Sequence, residues 1–112
     1  MNNKRLIIGV DFDGTLCKSI WPGLGPPNDK LIEKLLTLQA DGARLILWTC
    51  REGKQLDDAL AWCKGHGLIF DAVNDNLQEI KELYIGNSRK IFCDYYIDDK
   101  GYSPEKFCGY SV

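Results

Sequence analysis

Ile7-Ile8-Gly9-Val10-Asp11-Phe12-Asp13-Gly14-Thr15 is the stretch that decides how this chain reads. An apolar run ends in two carboxylates one residue apart, and a glycine turn follows at once. Residues 5–10 predict a strand, because the apolar run within them does not alternate and so suits a buried position in a parallel sheet. Two like charges at a strand tip repel unless something positive neutralises them. A hard divalent cation such as magnesium, bound through oxygen ligands, does so.

Outward from this stretch, residues 14–27 are rich in glycine and proline and predict a loop. Asn28 or Asp29 caps a helix expected to run to about Gln39, with Leu31, Ile32, Leu35, Leu36 and Leu38 on one broad face. Asp41-Gly42 ends it, the glycine suiting a left-handed C-cap. Residues 43–48 predict a second strand that ends at Thr49. Leu56, Ala59, Leu60 and Cys63 then recur at helical spacing, and that helix stops near Gly65. Residues 68–73 predict a third strand. Leu77, Ile80, Leu83 and Tyr84 predict a short helix, and residues 91–97 a fourth strand ending at Asp98-Asp99. The tail from Lys100 onward carries no assignment. Strands alternating with helices imply an α/β fold, a parallel sheet with helices on both faces. In such folds ligands bind beyond the carboxyl ends of the strands. Those ends carry Asp11 and Asp13, then Thr49, then Asp98 and Asp99.

A chain of 112 residues suits one small domain, taken as residues 1–112, with a modest core. Its 45% hydrophobic and 27% charged residues are ordinary for a globular protein. The net charge of −2, without a basic stripe, argues against nucleic acid. No apolar run approaches the roughly 18–20 residues of a membrane span, and the first residues lack the pattern of a signal peptide, so the expectation is a cytoplasmic protein. The five cysteines, Cys17, Cys50, Cys63, Cys93 and Cys108, form no Cys-x-x-Cys pair and signal neither a zinc site nor a redox couple. None has an arginine six places on, as the cysteine-dependent phosphatases require. They read as reduced, partly buried hydrophobes. His66, between two glycines, reads as a loop residue.

An Asp pair before glycine also suits a turn, Thr49 alone suits a strand end, and Lys90 alone suits a solvated surface. Together at strand ends and their adjoining loops, they fit phosphoryl transfer. A carboxylate attacks phosphorus and carries an aspartyl-phosphate. A second acid protonates the leaving oxygen and later activates water. A metal shields the attacking carboxylate, while a hydroxyl and an ammonium hold the phosphate oxygens.

These residues resemble the haloacid dehalogenase-like (HAD) phosphatase superfamily. Asp11-Phe12-Asp13-Gly14-Thr15 matches its first motif, Trp48-Thr49-Cys50-Arg51 looks like its second, and Lys90 with Asp94-Tyr95-Tyr96-Ile97-Asp98-Asp99 looks like its third and fourth. The resemblance implies a three-layer, Rossmann-like hydrolase core and a Mg2+-dependent phosphatase of phosphate monoesters. It implies Asp11 as nucleophile and metal ligand, and Asp13 as general acid/base that also offers its backbone carbonyl to the metal. It implies Asp98 as a direct Mg2+ ligand, and Asp99 as one acting through water or orienting the site. Thr49 and Lys90 would bind phosphate, with Arg51 as an extra phosphate or substrate contact that the family does not require. Arg89 or Lys81 are alternatives for the lysine. Asp13 favours phosphate over carbon–halogen chemistry, since dehalogenases usually lack that acid.

Neither gap between these motifs holds a cap domain, so the expected site is open and covered by the loop 16–27, with Trp21 as an aromatic flap or as packing over the core edge. Capless relatives often take large substrates or borrow cover from a neighbouring subunit, so the expected partners are a phosphorylated substrate of unnamed class and a homo-oligomeric copy. Two alternatives stand beside the phosphatase. One is a receiver-like phosphoacceptor, which the motif order disfavours because the acidic pair comes last and the middle strand ends in Thr49. The other is a catalytically weak binding module of the same fold. A P-loop is excluded, since Gly9 to Gly14-Thr15 has that spacing but lacks its lysine.

Overall fold

The computed structural model describes residues 6–83, 93–98 and 104–108. In chain order the elements are β1 (Ile7–Val10), α1 (Asp29–Ala40), β2 (Arg44–Leu47), α2 (Gly53–Gly65), β3 (Ala72–Val73), α3 (Gln78–Leu83), β4 (Tyr95–Ile97) and α4 (Pro104–Cys108). The strands form one parallel sheet in the order β3-β2-β1-β4. The α/β class follows from the strand–helix alternation, and an all-parallel sheet of this kind is compatible with a Rossmann-like fold.

The side chains of β1 divide between the two faces, as the period of a strand requires. Ile8 and Val10 join Leu31 and Leu35 of α1, Ala59 and Cys63 of α2 and Phe107 of α4 in the main apolar cluster. Ile7 meets Ile46 of β2 and Leu77 in a second cluster, against which Ile80 of α3 packs. Each large aliphatic side chain withdrawn from water this way contributes about 1.5–3 kcal/mol. Helix α1 begins where its sequence says it should. Asn28 accepts the Leu31 N–H through its side chain, and Gly42 beyond the helix end takes φ +105°.

Two aspartates stand at the starts of the ladders. Asp94 N–H donates to Ile7 O at 2.7 Å, while its Oδ2 accepts the Ile7 N–H at 2.7 Å. Asp71 repeats the device on β2, its N–H donating to Leu45 O and its Oδ2 accepting the Leu45 N–H, both at 2.8 Å. Each carboxylate satisfies an amide that would otherwise lack a partner at a sheet end.

The strands are shorter than the apolar runs suggest. Only Ala72–Val73 of the expected 68–73 pairs with β2. Leu68 is buried for another reason: its N–H donates back to Cys63 O at the end of α2, and its side chain plugs the core at 1% exposure. Of the expected strand 91–97, Tyr95–Ile97 is strand, and residues 91–92 lie outside the described residues. Helix α2 starts at Gly53, one turn before its apolar periodicity does. The unassigned tail contains α4, where Pro104 opens the helix and Phe107 enters the core at 0% exposure. The five cysteines are free, with Cys17 and Cys63 buried and Cys50 exposed. His66 follows α2 as its C-cap, as its glycine neighbours imply. Among the described residues, no helix is long and apolar enough to cross a membrane.

Candidate active site

The chain winds outward from β1 through β2 to β3, then returns to place β4 on the other side of β1. The winding therefore reverses between β1 and β4, and the crevice beyond the carboxyl ends of strands at such a switch point is where α/β sheets bind ligands. Val10 pairs with Ile97 there, and Asp11 N–H donates to Ile97 O at 3.0 Å. Asp11 and Asp98 thus leave the sheet side by side, on strands about 4.8 Å apart. Their charge is felt nearby: the Tyr96 phenol is pushed up to about 12, first by burial and then by Asp11 and Asp98.

Past Asp11 the chain turns sharply. Phe12 O accepts from Thr15 at 3.2 Å, Leu16 at 3.0 Å and Cys17 at 3.4 Å. Gly14 takes φ +81°, a conformation most side chains avoid, so its position after Asp13 fits the turn. The loop then doubles back as two paired arms, with Lys18 N–H donating to Pro26 O at 3.0 Å and Asn28 N–H to Leu16 O at 2.8 Å. The arms touch so closely at Gly25 that a Cβ there would sit 1.9 Å from Lys18 O. At the tip, the Trp21–Pro22 peptide is cis, and Gly23 N–H closes the turn onto Ile20 O at 3.0 Å. A pocket of about 290 Å³ opens at the base of the loop, lined by Gly14, Thr15, Lys18 and Asn28 among others.

Arg51 joins the pieces. Its Nε donates to Asp13 Oδ2 at 2.8 Å and its Nη2 to Asp13 Oδ1 at 2.7 Å, a two-pronged ion pair. Its Nη1 donates to Pro22 O at 3.2 Å and its Nη2 to Gly23 O at 2.7 Å. The guanidinium carbon lies 5.0 Å from the Phe12 ring centroid and 4.8 Å from that of Trp21. Arg51 is 2% exposed. Its pKa is raised above the usual arginine value, chiefly by the hydrogen bonds to Asp13.

Thr49 leaves β2 beside Asp11, since Trp48 N–H donates to Val10 O at 2.9 Å. Its N–H donates to Asn74 Oδ1 at 2.7 Å, and its Oγ1 accepts the Arg51 N–H at 3.1 Å. Because that hydroxyl accepts from Arg51, its own O–H is left to donate elsewhere. Asn74 is a residue the sequence reading missed. It sits just past β3 at φ +52°, a conformation asparagine tolerates better than most residues. An asparagine at a strand end was the available signal.

The structure thus brings Asp11, Asp13, Thr49, Arg51 and Asp98 to the carboxyl ends of three adjacent strands. Lys90, Arg89 and Asp99 lie outside the described residues. Lys81, the other candidate lysine, pairs with Asp75 at 2.9 Å. Arg51, expected as an extra phosphate or substrate contact, donates hydrogen bonds to Asp13 and to the loop carbonyls of Pro22 and Gly23. Among the described residues, no group of three or more His, Cys, Asp or Glu side chains gathers to hold a metal. Asp11 and Asp98 bring carboxylate oxygens to the crevice, and oxygen donors suit a hard cation.

No family model and no curated protein matches the chain. A solved structure does match, that of a conserved protein coded by a locus of Bacteroides thetaiotaomicron, with a TM-score of 0.75. The two are 42% identical, over 86% of this chain and 77% of that one. At that identity and coverage, the chain belongs to the same family as this conserved Bacteroides thetaiotaomicron protein.

Proposed function

We propose that the protein is a Mg2+-dependent phosphatase that hydrolyses a phosphate monoester through an aspartyl-phosphate on Asp11. The observation that supports it best is the meeting of Asp11 and Asp98 at the switch point, with Asp13 and Thr49 beside them. The motif resemblance to HAD phosphatases points the same way. On this reading the core has three layers and no cap, and the loop 16–27 is its cover.

In the first step an Asp11 carboxylate oxygen attacks phosphorus, and the bond from phosphorus to the ester oxygen breaks. Asp13 gives its proton to the departing oxygen. In the second step water attacks the same phosphorus, Asp13 takes its proton, and the bond to Asp11 breaks. Arg51 fixes the plane of the Asp13 carboxylate, while each oxygen keeps a second lone pair on which a proton can ride. The Thr49 hydroxyl donates to a phosphate oxygen, and Lys90 is the proposed second phosphate ligand. Asp11, Asp98 and the Asp13 carbonyl would hold Mg2+, with Asp99 assisting. Bound there, the ion would screen the Asp11 carboxylate from the phosphate dianion.

Release of inorganic phosphate from a panel of phosphate esters, with and without Mg2+, tests the reading. Asp11→Asn is expected to lower turnover by at least about 10³-fold, as loss of a nucleophile does. Wild-type turnover by that variant would overturn the proposal. A stable, stoichiometric phosphoprotein with little turnover would favour the receiver-like alternative.

A further inference from the structure

We infer that Trp21 is a stacking wall for the leaving group, and that the substrate class is phosphate monoesters whose alcohol carries a flat aromatic group. The inference rests on the phosphatase reading for the position of the phosphate. Asp13 serves the leaving oxygen, so whatever flanks Asp13 flanks the leaving group. One guanidinium separates Asp13 from Trp21: Arg51 Nη2 is 2.7 Å from Asp13 Oδ1, and Arg51 Cζ is 4.8 Å from the Trp21 ring centroid.

That guanidinium is immobilised by its bonds to Asp13, Pro22 O and Gly23 O, so the indole resting on it has a fixed plane. Trp21 is nevertheless 58% exposed. Among the described residues, the exposed large hydrophobics are Ile20, Trp21, Leu24 and Ile69, and the first three share the tip of the loop. Single exposed apolar residues are ordinary, but a cluster beside a catalytic crevice marks a contact surface.

The same tip is poorly suited to a polyol. Gly23 N–H is bonded to Ile20 O, the carbonyls of Pro22 and Gly23 are bonded to Arg51, and proline has no N–H to offer. With those groups engaged, the tip presents the indole of Trp21 and the aliphatic carbon of Ile20 and Leu24. An aromatic ring gains from a π-face through stacking, whereas a sugar's hydroxyls would lose water without replacement.

The test compares benzyl phosphate with cyclohexylmethyl phosphate, which match in size and alcohol chemistry and differ in flatness. The full chain with Mg2+ is expected to favour the benzyl ester by about tenfold in kcat/KM, within the range of aromatic stacking. Trp21→Ala is expected to erase that preference, lowering kcat/KM for the benzyl ester by about tenfold more than for the cyclohexylmethyl ester, and Trp21→Phe to keep it. Equal turnover of the two esters by the wild type, or an equal loss on both in Trp21→Ala, overturns the inference. Titration with benzylphosphonate and cyclohexylmethylphosphonate decides the matter independently of turnover. Tighter benzyl binding with tryptophan quenching that vanishes in Trp21→Phe supports the wall, and equal Kd values overturn it. Failure to hydrolyse any ester would sink the phosphatase reading alone.

Discussion

Arg51 shows how much one side chain can hold. A guanidinium withdrawn from water is strongly unfavourable unless its donors are met, and here Asp13 and two carbonyls meet them. Removing it would strand a carboxylate that is itself only 25% exposed, and would unpin the loop tip. Arg51→Ala is expected to lower unfolding free energy by about 3 kcal/mol, at the low end for breaking a buried pair. Arg51→Lys should recover only part, because an ammonium cannot grip both carboxylate oxygens in a fixed fork. Denaturant unfolding of the two variants measures this, and a loss no larger than a surface substitution gives would show that the pair holds little. In the sequence, Arg51 was visible beside Thr49, but its partner lies 38 residues away. Linear spacing reveals residues that a strand end gathers, as with Asp11 and Asp13. It does not reveal which of them a folded loop will tie together, nor that Asn74 would support Thr49.

At the scale of elements, the helices were more legible than the strands. The apolar face of α1 repeats over three turns and its cap is a residue with a specific job. The run Leu68-Ile69-Phe70 is apolar because Leu68 fills the core, while Ile69 is 55% exposed, so a strand-like composition arose without a strand. The tail was unreadable because α4 is a helix of five residues, too short to show a period. Asn28 joins two elements: its Oδ1 accepts from Leu31 in α1 at 3.3 Å, and its Nδ2 donates to Thr15 O in the turn at 3.3 Å. Asn28→Ala is expected to lower thermal stability by about 1 kcal/mol, the usual value of a lost N-cap. Asn28→Asp keeps the acceptor and suits the positive end of the helix, so it should lose less. Equal losses in the two would show that the bond to Thr15 outweighs the cap.

Over the whole molecule, the alternation of strands and helices was enough to read a parallel α/β protein. The strand order was not, because it depends on which side of β1 the chain returns to after β3. The core also fixes a response to alkali. Burial pushes the Cys63 thiol up to about 12, and raises Cys17 and Cys93 as well. Unfolded, these thiols would titrate at about 8.5. The folded state therefore binds more protons than the unfolded one between those values, and stability declines as pH rises through that window. Melting temperature is expected to be flat below about pH 8 and to fall towards pH 11, less steeply in Cys63→Val; an unchanged slope in that variant would remove Cys63 as a cause. One further consequence lies at the amino ends of the sheet, where Asp94 and Asp71 grip Ile7 and Leu45. A slip of one residue turns every side chain of a strand to the wrong face. Here it would also pull both amides away from their carboxylates. Misalignment is thus penalised in apolar burial and in hydrogen bonding together, so the two aspartates proofread the pairing of the strands they begin.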